Sequence, residues 1–191
     1  MEKNKKELRL LYSNKRKGIN KNKLDIKITN NTLDLINEIV DNNKEFKIHI
    51  FLPISKKNEI NTFFIINKLK LKNIKFYISK SNFETNELTN FELTENTELK
   101  ENKYGIPEPL NALEYKKNEY NIIIVPLLCS DINGYRVGYG KGFYDRFLSN
   151  LKQNYITIGL NYFEPIKKIT DTNKYDIRLN YLITSEKIYR Y

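Results

Sequence analysis

The sequence predicts an α/β fold in which helices cover both faces of a mostly parallel sheet, giving three α/β/α layers. Two observations support this prediction. Segments with the apolar spacing of helices alternate along the chain with short strand-like segments. Residues 122–125 form an uninterrupted apolar run followed by a proline, which is typical of a strand buried on both faces. Because the 191 residues contain no internal repeat or linker, we predict one domain over residues 1–191.

Three helices and two strands are predicted in the N-terminal half. Apolar spacing predicts a helix over residues 3–17 and a second over residues 32–40, whose first residue is a threonine suited to N-capping. Alternating apolar residues predict a strand over residues 46–52. Residues 59–71 have helical spacing, and residues 74–78 have the pattern of a strand. The inward positions of the first two helices are Leu8, Leu11 and Tyr12, then Leu33, Ile36 and Val40.

The C-terminal half supplies the strands that lead to the most informative segment. Residues 96–109 are polar and rich in turn residues, so we expect a surface loop that crosses the substrate cleft. Strands are predicted over residues 121–125, 155–160 and 181–184, and a helix over residues 143–151. Ligands in open α/β sheets bind beyond the carboxyl ends of the strands, where the segment after residue 125 would lie.

That segment is a glycine loop, which runs from Arg136 to Arg146 as Arg-Val-Gly-Tyr-Gly-Lys-Gly-Phe-Tyr-Asp-Arg. Glycines at alternate positions allow backbone N–H groups to approach a ligand closely. Arg136 and Lys141 add cationic donors, and Asp145 adds a hard oxygen ligand. This combination is typical of a site for a metal-bound nucleotide phosphate. The loop lacks the G-x-x-x-x-G-K-[ST] and G-x-G-x-x-G patterns, so a structural turn remains the alternative for the three glycines alone.

The net charge of +10 allows several kinds of anionic partner, including nucleic acid, acidic membranes and small ligands. Cationic residues concentrate within residues 3–23. Lys5 and Arg9 are four positions apart, so they share one helix face and are spaced to clamp one phosphate group. For most of the other basic residues in this cluster, a solvated helical face is an equally good interpretation.

Several protein classes are disfavoured by the sequence. No apolar run approaches the ~18 residues of a membrane span, and the N-terminal residues lack the apolar segment of a secretory signal. The single cysteine, Cys129, has no partner for an intramolecular disulfide, which suits a reducing compartment. We therefore expect a cytoplasmic protein in which Cys129 is a small buried apolar residue rather than a reactive thiol.

Taken together, the residues resemble the 5-formyltetrahydrofolate cyclo-ligase family, also called methenyltetrahydrofolate synthetases. The segment from Ile124 to Leu148, which contains the glycine loop, is similar to the family's signature. Further similar segments follow the family's order and spacing: Lys5-Lys6-Glu7-Leu8-Arg9, residues 48–54 with residues 59–62, Glu108-Pro109, and Asp176 with residues 182–184. The departures at Leu127, Ser130 and Asn180 affect packing and ring stacking rather than phosphate or metal ligands.

The resemblance implies an ATP- and Mg²⁺-dependent enzyme that converts 5-formyltetrahydrofolate to 5,10-methenyltetrahydrofolate and releases ADP and phosphate. It implies that ATP phosphorylates the formyl oxygen and that N10 then closes the ring as phosphate leaves. The expected partners are ATP and 5-formyltetrahydrofolate, with or without a polyglutamate tail. We expect a monomer with no nucleic-acid or membrane partner.

The resemblance also implies residue roles. Catalysis would fall to Arg136, Lys141 and Tyr144, and Mg²⁺ would be held by Asp145 and Asp176. The ATP site would comprise Lys5, Lys6, Glu7, Leu8, Arg9, Arg136, Val137, Gly138, Tyr139, Gly140, Lys141, Gly142, Phe143 and Tyr144. The folate site would comprise Ile54, Glu59, Tyr139, Gly140, Lys141, Gly142 and Phe143. For Glu59, a carboxylate favoured by a helix N-terminus is the alternative.

His49, the only histidine, alternates with Ile48 and Ile50, so a structural or surface role is favoured over catalysis. No nucleophile–base dyad is predicted, which agrees with phosphoryl transfer to the substrate.

Two alternatives to the enzyme remain at this point. One is a basic nucleic-acid-binding protein, which the charge and the many aromatic residues support. The other is a cyclo-ligase-like protein that shares the fold but has no activity.

Overall fold

The computed structural model of this chain describes residues 2–41, 44–69, 73–152 and 154–191. Its helices are α1 (Lys5–Lys17), α2 (Lys21–Ile39), α3 (Phe63–Leu69) and α4 (Phe143–Ser149), with one 3₁₀ turn at Ser55–Lys57. Its strands are β1 (Phe46–Ile50), β2 (Ile74–Asn82), β3 (Glu87–Leu93), β4 (Leu99–Glu101), β5 (Pro107–Pro109), β6 (Ile122–Pro126), β7 (Cys129–Ser130), β8 (Arg136–Val137), β9 (Ile156–Leu160), β10 (Tyr181–Ile183) and β11 (Ile188–Arg190).

Seven strands form the central sheet in the order β11-β10-β9-β6-β1-β2-β3. The five strands from β10 to β2 are parallel to their neighbours, and the two edge strands are antiparallel. The central position of β6 explains its continuous apolar sequence, since all of Ile122 to Val125 is buried. The predicted mostly parallel sheet is confirmed.

Alternate residues of β6 face two different apolar layers. Ile122 and Ile124 lie in the cluster that contains buried residues of α2 and α3, including Ile36. Ile123 and Val125 lie in the cluster of α4 on the opposite face. Because a strand places successive side chains on opposite faces, this division shows helices on both sides of the sheet. The three-layer prediction is therefore confirmed.

Two helix boundaries were predicted incorrectly. The second helix begins at Lys21, so Thr32 is not its cap but an interior residue whose hydroxyl donates to the carbonyl of Ile28 at 2.7 Å. The third helix begins at Phe63 rather than at residue 59. Thr62 precedes it and donates its hydroxyl to the Phe51 carbonyl at 2.7 Å. Glu59 consequently lies in the loop before the helix, and the predicted end at residue 71 falls outside the described residues.

The β2–β3 and β4–β5 hairpins were not predicted, and neither were the antiparallel pairs β7–β8 and β10–β11. Strand β2 continues to Asn82 and pairs with β3 along seven residues, although only residues 74–78 had a strand pattern. Asn82 accepts hydrogen bonds from two turn amides, and Asn86 has a φ of 57°, so the turn depends on asparagine conformations rather than on glycine. The predicted surface loop at residues 96–109 contains the second hairpin, β4–β5.

Helix α1 packs at the end of the sheet that carries the glycine loop. Its buried Leu8 and Tyr12 contact Leu128, Val137 and Ile169 in a third apolar cluster. A capping box begins the helix, since the Asn4 side chain accepts from the Glu7 amide and the Glu7 carboxylate accepts from the Asn4 amide. This packing brings the first turns of α1 to the glycine loop. Among the described residues, no helix is long and apolar enough to cross a membrane.

Candidate active site

A cavity of about 720 Å³ lies beyond the carboxyl ends of β1 and β6, where the sequence predicted a ligand site. Its walls come from α1, the segments after β1 and β6, the β2–β3 and β4–β5 hairpins, and the glycine loop. The polar and charged lining residues include Lys5, Arg9, Lys57, Glu59, Ser79, Ser81, Arg136, Lys141, Asp145 and Asp176. The site therefore joins parts of the chain that are remote in sequence.

The glycine loop presents free backbone donors. The backbone N–H groups of residues 138–142 donate to no acceptor among the described residues. Two guanidinium groups hold its carbonyl groups instead: Arg9 Nε donates to the Gly138 carbonyl at 3.0 Å, and Arg146 donates to the Lys141 carbonyl. In a planar trans peptide the N–H points away from the C=O, so both contacts turn the following N–H groups away from the arginines. The loop is suited to binding an anion through its backbone.

Two ion pairs flank this loop. Lys5 Nζ lies 2.6 Å from both carboxylate oxygens of Asp176. Arg136 donates to Asp145 Oδ1 at 2.8 Å and also to the Ile177 carbonyl, and the Ile177 amide donates to the same Asp145 oxygen at 3.1 Å. Burial lowers the pKa of Arg136, while the charges of Asp145 and Asp176 act in the opposite direction. The structure thus brings both predicted metal ligands to one cavity, each next to a cation.

Glu59 is the centre of a buried polar cluster. Its Oε2 accepts from the Ile54 amide and its Oε1 from the Tyr139 hydroxyl, both at 2.7 Å. The buried Arg16 donates to the same hydroxyl at 3.2 Å. Burial raises the pKa of Glu59, and these hydrogen bonds together with the charges of Arg16 and Lys57 oppose the rise. Burial likewise raises the pKa of Tyr139, so this hydroxyl remains protonated and a donor.

Aromatic rings form the wall near the two hairpins. Phe83, in the β2–β3 turn, stacks at 4.1 Å between ring centroids on Tyr104, in the β4–β5 turn. Phe143, at the end of the glycine loop, meets the edge of Phe83 at 5.3 Å. Glu108 fastens the β4–β5 hairpin by accepting from the Ser81 amide at 3.0 Å. The predicted surface loop does line the cavity, through Tyr104, Ile106 and Pro107.

The structure brings most of the predicted site residues to the cavity but not all. The lining residues among them are Lys5, Arg9, Ile54, Glu59, Arg136, Gly138, Tyr139, Gly140, Lys141, Gly142, Phe143, Tyr144, Asp145 and Asp176. Lys6 and Glu7 are outside the lining, and Glu7 is engaged in the helix cap. Leu8 and Val137 are each 1 % exposed and pack into the third apolar cluster, so their side chains do not face the cavity.

Some lining and supporting residues were not anticipated. Arg16 and Arg146 were predicted only as members of a basic cluster and of the signature, yet each holds part of the glycine loop. The sequence did not predict the contact between Ser79 Oγ and Nε2 of His49, which are 2.7 Å apart. His49 is fully buried, which excludes the predicted surface role. Cys129 is also fully buried, and burial raises its pKa to about 12, which agrees with an unreactive thiol.

Comparisons with known proteins agree with this architecture. The Aquifex aeolicus 5,10-methenyltetrahydrofolate synthetase, solved by NMR, superposes with a TM-score of 0.77 over 97% of this chain and 92% of that one, at 24% identity. The Mycoplasma pneumoniae 5,10-methenyltetrahydrofolate synthetase superposes with a TM-score of 0.71 over 95% of this chain and 98% of that one, at 23% identity. These two structures share the fold.

Sequence comparison is more specific. The 5-formyltetrahydrofolate cyclo-ligase of Haemophilus influenzae is 34% identical over 139 residues, which cover 71% of each chain. The Mycoplasma pneumoniae protein of the same name is 32% identical over 73 residues, or 38% of this chain and 43% of that one. A model of the 5-formyltetrahydrofolate cyclo-ligase family matches residues 2–184. The chain therefore belongs to the 5-formyltetrahydrofolate cyclo-ligase family.

Proposed function

We propose that this chain catalyses the ATP- and Mg²⁺-dependent cyclisation of 5-formyltetrahydrofolate to 5,10-methenyltetrahydrofolate, with release of ADP and phosphate. The formyl oxygen attacks the γ-phosphorus of ATP, ADP leaves, and an imidate phosphate forms at N5. N10 then attacks the activated carbon, and inorganic phosphate leaves in place of hydroxide. The protein supplies positioning and charge neutralisation rather than a nucleophile.

One observation carries this proposal. Lys5 and Arg9 of α1, the free amides of residues 138–142, and the carboxylates of Asp145 and Asp176 all line one cavity. Cations and backbone donors bind phosphate oxygens, and carboxylates bind the cation that accompanies them. The same cavity has an apolar, aromatic side that fits a flat ring system.

Within this site, Lys141 is the residue best placed to follow the transferred phosphate. It is exposed on the glycine loop, and its ammonium group forms no hydrogen bond or ion pair within the described part of the chain. Arg9 holds the Gly138 carbonyl and lies against Gly140, so it fixes the loop as well as adding positive charge. We assign phosphate binding to these two cations and to the loop amides.

The donor set fits a magnesium ion. Asp145 uses Oδ1 for Arg136 and Ile177, while Oδ2 has no hydrogen bond among the described residues and the side chain is 32% exposed. Both oxygens of Asp176 bind Lys5, and one also accepts from the Asn173 amide. Asp145 is thus suited to direct coordination and Asp176 to contact through water. Bound Mg²⁺ would neutralise phosphate charge and orient the phosphate oxygens.

The test is direct. Purified protein is mixed with 5-formyltetrahydrofolate and Mg-ATP, and the absorbance of the methenyl product is followed, with omission of ATP as the control. ATP-dependent product supports the proposal, and ADP should appear in equal amount. A folded protein that binds both ligands without forming product would instead be the inactive cyclo-ligase-like alternative.

We place the enzyme in the cytoplasm, which the single buried thiol of Cys129 suits.

A further inference from the structure

The wall of the cavity contains a serine whose hydroxyl is held by two buried side chains. Ser79 lies on β2 and lines the cavity. Its Oγ is 2.7 Å from Nε2 of His49, which is fully buried on β1, and 2.6 Å from Oδ1 of Asn90, which is 3% exposed on β3. Three neighbouring strands therefore fix one hydroxyl group.

The hydrogen bonds around Asn90 determine the direction in which Ser79 donates. Asn90 Nδ2 donates to Asn118 Oδ1 at 2.8 Å, and the Tyr120 hydroxyl donates to the same oxygen at 3.0 Å. This leaves Asn90 Oδ1 facing Ser79, so the single hydroxyl proton of Ser79 goes to Asn90. His49 Nε2 must then carry a proton and donate it to Ser79. With its proton and one lone pair engaged, Ser79 has one lone pair left for the cavity.

The pair of Ser79 and His49 has the distance of a nucleophile and its base but not the chemistry. A base must accept the serine proton, whereas Nε2 of His49 already donates. His49 is enclosed by the rings of Tyr120, Tyr144 and Phe147, and its Nδ1 has no hydrogen-bond partner among the described residues. Burial lowers the pKa of His49 to about 3, so its ring is neutral at physiological pH. An imidazolium here would have no orienting carboxylate, and Ser79 is not activated.

We propose that Ser79 is a specificity-determining residue that accepts a hydrogen bond from the N8–H or the 2-amino group of the folate ring system, with His49 and Asn90 as its positioning residues. This inference rests on the proposed function. Ser79 shares a face of the β2–β3 hairpin with Leu88, which also lines the cavity, and its strand is separated from β10 and the preceding Asp176 by β1, β6 and β9. We therefore assign Ser79 to the folate ring rather than to ATP.

A fixed acceptor in a largely apolar wall discriminates strongly between ligands. A ligand N–H pairs with it, whereas a C–H or a second acceptor at the same place leaves a desolvated oxygen without a partner. Because its only proton is held by Asn90, Ser79 does not rotate to become a donor for such a ligand. The buried network converts an adaptable hydroxyl into a group that recognises donors only.

The first experiment measures the affinity of each ligand by calorimetry. Ser79→Ala should weaken 5-formyltetrahydrofolate binding by about three- to tenfold, the range for one neutral hydrogen bond, and leave ATP affinity unchanged. Ser185→Ala, which removes a hydroxyl from the turn between β10 and β11, is the matched control and should change neither affinity. Weaker ATP binding by Ser79→Ala, or unchanged folate binding, would overturn the proposal. Wild-type protein that does not bind 5-formyltetrahydrofolate would instead refute the proposed function.

The second experiment identifies the donor and separates recognition from structural support. Two analogues are used, one with CH₂ in place of the N8–H group and one without the 2-amino group. One of them should lose affinity for the wild type and lose nothing further with Ser79→Ala, since both changes remove the same bond. Additive losses for both analogues would overturn the proposal.

The positioning role is tested at His49. His49→Gln keeps an N–H group near the position of Nε2 and should retain folate affinity, whereas His49→Leu should lose as much as Ser79→Ala. Equal affinities of the two folded His49 variants would refute positioning by a hydrogen bond. If His49→Leu does not fold, the analogue experiment on Ser79→Ala decides the question.

Discussion

Replacing Gly140 by valine tests whether the glycine loop is built for a ligand. Gly140 has a φ of +96°, and a Cβ added there would lie 3.1 Å from Cζ and Nε of Arg9. Backbone strain of this kind costs about 1–3 kcal/mol. Displacing Arg9 also removes its 3.0 Å bond to the Gly138 carbonyl, a charged hydrogen bond that contributes about 1.5–3 kcal/mol. The combined cost is roughly 3–6 kcal/mol if the loop keeps its conformation.

That cost is a large part of the roughly 5–15 kcal/mol that stabilises an ordinary domain, so we expect the loop to move instead of retaining the strain. Gly140→Val should fold with a lower melting temperature. Its affinity for ATP should fall at least about 100-fold, because displacing Arg9 and moving the loop amides removes at least two charge-assisted hydrogen bonds to phosphate.

Gly138→Ala is the matched control for stability, because a Cβ at Gly138 meets no atom within 4 Å. It should melt at the wild-type temperature. Thermal unfolding and calorimetric titration with ATP measure both effects. A folded Gly140→Val protein with normal ATP affinity would show that the glycine loop is only a structural turn.

Three further predictions concern charged and titratable groups. Lys141→Ala should lower turnover by a factor on the order of 10² without changing thermal stability, and unchanged turnover would remove Lys141 from the mechanism. Asp145→Asn should raise the Mg²⁺ concentration needed for half-maximal activity and lower the maximal rate, and Asp176→Asn should do so more mildly; magnesium titrations that coincide with wild type would refute each metal assignment. Because burial lowers the pKa of His49 from 6.5 to about 3, the unfolded chain binds more protons than the folded one below pH 6.5. Stability should therefore be complete above pH 6.5 and fall by roughly 1.4 kcal/mol per pH unit below it, and His49→Gln should flatten this dependence between about pH 6.5 and pH 4 in urea denaturation. A His49→Gln protein with the wild-type pH dependence would show that His49 binds protons equally in the folded and unfolded chains.

The parts of the fold that were predictable have a strong local signal. Strand β6 is apolar throughout because it is buried on both faces, and helix α4 presents a periodic apolar face. The start of α2 lacked such a signal, because Asn20 makes no side-chain cap bond and the first turns are mostly polar. Strand β3 is only partly buried and alternates weakly, so its pairing with β2 is decided by tertiary contacts.

In the site, too, residues with a strong local signal were predictable and residues brought together by tertiary structure were not. The glycine loop was predictable because its residues are contiguous and their chemistry is specific. The Ser79–His49 pair was not, since it depends on the parallel register that pairs His49 with Tyr77, two residues before Ser79. Alternation with Ile48 and Ile50 placed His49 on the opposite face of the strand, but only the tertiary structure reveals what covers that face.

The cations of the site differ in how far they are already engaged, and this difference separates their roles. Arg136 is 8% exposed and bonds both Asp145 and the Ile177 carbonyl, so moving it toward a phosphate would leave a carboxylate without its partner. We infer that Arg136 acts mainly by orienting Asp145, although the resemblance implied a catalytic role. Lys141 has no such bond among the described residues and is exposed on the loop. A cation that neutralises charge during transfer must reach the moving phosphoryl group, and a flexible lysine without a prior partner meets that requirement at the lowest cost.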